Sequence, residues 1–72
     1  MNNATANLHK LIMLINCLVD AVKGAGDQGA PAGPMYAAMM TYGCRLDQFE
    51  MLIDIAVRAG KLRKQGHLLF AL

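Results

Sequence analysis

The sequence predicts a mainly helical domain closed by a small β-hairpin, and three observations carry that prediction. Apolar residues recur at helical spacing from Leu8 to Val22. A second amphipathic stretch, from Phe49 to Val57, runs into a stop at Gly60. The basic segment Lys61-Leu62-Arg63-Lys64-Gln65-Gly66-His67 follows at once, with a glycine for a tight turn and the apolar run Leu68–Leu72 behind it. The 72 residues suffice for one domain, near the lower limit for folding alone.

The first helix is expected at about 6–23, with Thr5 or an earlier Asn as its cap. Leu8, Leu11, Ile12, Ile15, Leu18, Val19 and Val22 form its stripe, widened by Leu14, Cys17 and Ala21. The apolar arc covers more than half the circumference, so the helix has a second face to hide. Either the rest of the domain and the 24–33 loop clasp it, or it forms a homodimer seam through Leu11, Met13, Leu14 and Leu18. Gly24, Gly26 and Gly29 spell Gly-x-Gly-x-x-Gly, but a dinucleotide site needs a strand before that motif and a helix after it. Here a helix precedes and Pro31 follows, so the stretch reads as a link.

The second helix is expected at about 34–42, with Pro34 at its first position, Gly43 beyond its end, and Tyr36, Met39 and Met40 on its core face. Gly43-Cys44-Arg45 makes the turn into a third helix at about 46–59. Asp47 and Glu50 suggest a capping box there, and Phe49, Leu52, Ile53, Ala56 and Val57 a buried face with Leu46 at its entry. A two-stranded wing at about 61–71, turning at Gln65–Gly66, would set Leu62, Leu68 and Phe70 inward and Arg63 and Lys64 at the tip.

Net charge is only +2, but no acid follows Asp54, whereas Arg58, Lys61, Arg63, Lys64 and His67 do. Cys17 and Cys44 form no Cys-x-x-Cys pair and sit among apolar residues, which suggests free, buried thiols in a cytoplasmic protein. With His9 and His67 they show no zinc-ligand spacing. The Leu8–Val22 run is too short for a membrane span. No Ser-His, Cys-His or paired-carboxylate set stands out, so no enzyme, cofactor, metal or small-molecule substrate is expected.

Helix, Gly/Pro link, short helix, turn, a longer helix ending in Arg-Ala-Gly-Lys-Leu and a short hairpin together resemble the winged helix-turn-helix superfamily, over Leu8 to Leu72. The resemblance implies a very short strand from the link, near Ala30–Ala32, at the edge of the hairpin. It also implies a third helix entering the DNA major groove and a wing on the backbone. The corresponding contacts would be Gln48 and Arg58 on the helix and Lys61, Arg63, Lys64 and His67 around the wing. The expectation is a homodimeric, DNA-binding transcriptional regulator. Asp47, Glu50 and Asp54 depart from that pattern, because carboxylates repel phosphate. Met51, Asp54 and Ile55 would instead suit a protein partner, as in an adaptor or a phage- or plasmid-encoded inhibitor.

Overall fold

The computed structural model describes residues 3–72, with side chains described from Asn7 onward. Three helices carry a small three-stranded antiparallel sheet. Helix α1, Asn3–Ala25, runs on through a 3-10 turn, Gly26–Gln28, into strand β1, Ala30–Pro31. Then come α2, Ala32–Met40; α3, Leu46–Arg58; β2, Leu62–Gln65; and β3, Leu68–Ala71. Among the described residues no helix is long and apolar enough to cross a membrane.

Helix α1 begins earlier than its first apolar residue suggests, which places Thr5 inside it rather than at its cap; Met1 and Asn2 lie outside the described residues. Helix α2 starts at Ala32, two residues before the expected Pro34, with Pro31 extended just before it; Pro34 is the third helical residue, tolerated because no intrahelical N–H is needed in the first turn. Helix α3 ends in a Schellman motif: Gly60 takes φ 75°, its N–H donates to Val57 O, and Lys61 N–H donates to Ala56 O. Its start differs from the expected Asp47/Glu50 box. Arg45 is the residue before the first turn, and its N–H donates to Gln48 Oε1 at 3.0 Å.

The sheet order is β1-β3-β2: the expected two-stranded wing carries a third strand, and that strand lies at Ala30–Pro31, within the stretch where a short edge strand from the link was expected. The link supplies it: Ala30 pairs with Leu69, Pro31 pairs with Leu68, and Ala32 N–H donates to His67 O at 2.8 Å. Proline suits this edge because it has no ladder N–H to leave unpaired.

The core joins Ile15, Leu18, Val19 and Val22 of α1 to Met39, Cys44, Phe49, Leu52, Ile53, Ala56, Leu62 and Leu69. Leu69 faces the core with Leu62, while Leu68 and Phe70 lie on the other side of β3, only partly buried. Gln65 pairs with Leu68, which fixes the turn at Gly66–His67, one residue beyond the expected place. In a strand each step of one residue changes the face. Val57 and Met40, also expected inside, are exposed. Met35 and Tyr36 pack against the core from α2, and Tyr36 meets the Phe49 ring at 5.4 Å between centroids. Both cysteines are free, but only Cys44 is buried; Cys17 is exposed on α1.

Candidate nucleic-acid interface

Helix α3 and the β2–β3 hairpin carry every candidate DNA contact. On α3 the polar groups are largely engaged with one another. Arg58 is bound to Asp54 one turn earlier, at 3.2 Å. Arg45 pairs with Asp47 at 3.4 Å. Gln48 spends its carbonyl oxygen on the backbone at the helix start, and only its amide is left to donate outward. Glu50 alone among the three α3 acids has no cation partner among the described residues. The acids therefore repel phosphate less than their number suggests, and the arginines offer less to it.

The hairpin cations differ. Lys61 and Lys64 are exposed, and no carboxylate among the described residues pairs with either. Arg63 is not at the tip. It stands opposite Phe70 in the ladder, with its guanidinium 4.3 Å above the ring centroid and one N–H donated to Gln65 Oε1 at 2.8 Å. The outer sheet face thus holds Arg63 in place by cation–π contact. The exposed tip residue is His67, within the two-residue turn whose first member, Gly66, takes φ 61°. That geometry fits a hairpin turn with glycine at the first central position.

The protein-partner candidates divide. Met51 is 47% exposed, but Ile55 packs against the core and is no free anchor, and Asp54 is held by Arg58. Met51 borders a groove of about 360 Å³ between α1, the α2–α3 turn and α3, with Leu11, Leu14, Tyr42, Cys44 and Gln48 on its walls. Burial pushes the Cys44 thiol above its ordinary range; the Asp47 charge adds to that, and Lys10 opposes it. Sequence reasoning missed Tyr42, 58% exposed, and Leu46, expected at the entry of the buried face of α3, is 52% exposed instead. The only signal for Tyr42 was its place just before Gly43, in the turn that follows α2.

The dimer candidates divide as well. Leu18 has no exposed surface and belongs to the core of its own chain. Leu11 and Leu14 line the groove, and Met13 stands on a different face, 71% exposed.

No protein-family model matches the chain, and neither a curated protein nor a solved structure matches it.

Proposed function

We propose that the chain is a winged helix-turn-helix domain that binds duplex DNA, led by its wing, and acts as a transcriptional regulator. The observation behind this reading is the set of hairpin cations with no carboxylate partner among the described residues, set against the paired ones on α3. Affinity then comes from phosphate neutralisation by Lys61, Arg63 and Lys64, and α3 contributes little base reading beyond the Gln48 amide. Binding should be steeply salt-dependent and only weakly selective for sequence.

The test is fluorescence anisotropy on a random duplex between ~50 and ~200 mM salt. Each lost phosphate contact flattens the slope of log K against log salt by about 0.9, so Arg63→Ala with Lys64→Ala should flatten it by up to ~2. Asp54→Asn removes a negative charge and releases Arg58, and should tighten binding. Absence of duplex binding at ~50 mM salt and micromolar protein would end the reading.

A second reading rests on the groove. Its apolar walls at Leu11, Leu14, Tyr42 and Met51 suit a protein segment better than a phosphate. Under it Met51→Ala and Tyr42→Ala cost most, and the wing pair alters association rate and salt dependence instead.

A further inference from the structure

The face of α1 turned away from the core has a pattern of its own. Lys10, Met13, Cys17 and Asp20 follow at intervals of three, four and three residues, the spacing of a helix–helix seam. All four are exposed. At about 100° per residue their mean direction is opposite that of Ile15, Val19 and Val22, which point into the core, and Lys10 marks the edge of the face where it borders the groove. The set is also symmetric about Ile15: Met13 and Cys17 stand two residues either side of it, Lys10 and Asp20 five. Gly24, next in the stripe, has nothing within 4 Å of where a Cβ would sit. Neither Lys10 nor Asp20 has an ion-pair partner among the described residues.

We propose that this face is the seam of a homodimer in which a second copy of the chain lies antiparallel along α1, with the two-fold axis near Ile15. In that register Lys10 meets the partner's Asp20, Asp20 meets the partner's Lys10, and Met13 covers the partner's Cys17. A parallel pair would set lysine on lysine and aspartate on aspartate, so charge complementarity selects the antiparallel one. The small Cys17 lets the helix axes approach. A two-fold contact of this kind is self-complementary and closes at two copies. The seam leaves the hairpin uncovered, but Lys10 also borders the α1–α3 groove beside Gln48 and Met51, so that end of the seam meets the groove of the second functional reading.

Sedimentation at ~50 mM salt tests the register by charge reversal. The native chain should be dimeric at tens of micromolar. Lys10→Glu alone and Asp20→Lys alone each turn both symmetric contacts repulsive and should raise the dimer Kd roughly tenfold or more. Combining them restores opposite charges and should recover native association. All these positions are exposed, and circular dichroism reports whether the helices survive. A monomeric native chain, or a double variant that associates no better than the singles, overturns the proposal. Cross-linking the native chain with a short bis-maleimide gives a second reading, because Cys17 is the exposed thiol and Cys44 is buried. The two Cys17 positions would be offset by about 6 Å along the seam. Cross-linked dimer is expected, and a dimer that resists cross-linking at Cys17 places the seam elsewhere.

Discussion

At the scale of single residues, the backbone at Gly29 is the most constrained point in the link. Its φ of 81° and ψ of 164° belong to a region that side chains rarely adopt. An added Cβ would lie 2.7 Å from Phe70 Cε1 and 3.2 Å from Leu69 O. Phe70 is itself under Arg63, so it cannot swing away without giving up the cation–π contact. Gly29→Ala should therefore cost about 1–3 kcal/mol, read as a lower thermal midpoint. The same change should loosen Arg63 and weaken whatever the wing binds. Gly26 also has positive φ but meets nothing within 4 Å, so Gly26→Ala pays only the backbone penalty and should cost less.

At the scale of elements, the sheet register makes a sharp distinction between adjacent leucines. Leu69 has no exposed surface, while Leu68 lies on the outer face. Leu69→Ala should destabilise by about 2–5 kcal/mol in denaturant titration, and Leu68→Ala by much less. Equal losses would contradict the observed pairing. The helices were legible because glycines and periodicity punctuate them: Gly43 and Gly60 stop α2 and α3, and Ile15 to Val22 mark the inner face of α1. The β3 face was not legible, because Leu68-Leu69-Phe70 is apolar throughout and offers no alternation to read. The exposure of Val57 depends on where α1 and β2 cover α3, a tertiary matter that its own spacing does not encode. The candidate wing cations could be read from charge alone, but the pairing of Arg58 with Asp54, four residues apart, decides how much of that charge is free.

At the scale of the whole molecule, the shape is long, 43 × 23 × 19 Å, with a radius of gyration of 12.1 Å. A compact chain of this length would give about 11 Å. The excess comes from α1. Leu8 and Ile12 continue the stripe that Ile15 and Val19 bury, yet they are 54% and 46% exposed, so the helix outruns the body it packs on. The proposed seam would use the opposite face of this helix and leave the projecting stripe open.

The order of strands also sets a timetable for synthesis. The middle strand, β3, follows both of its neighbours in the chain, and β1 must wait for Leu68 and Leu69 across the whole of α2, α3 and β2. A nascent chain halted before Leu68 has every helix residue but neither β1 nor β2 has a partner to pair with. Leu69, which seals the underside of α1, is then missing too. Helical segments form early and locally, but long-range pairing waits for its last strand. In chains stalled through an added C-terminal linker long enough to fill the exit tunnel, protease protection should accordingly rise in one step once Ala71 emerges, and a gradual rise with each helix would contradict that order. A chain that ends short of Leu68 leaves two lone strand edges open to wrong partners.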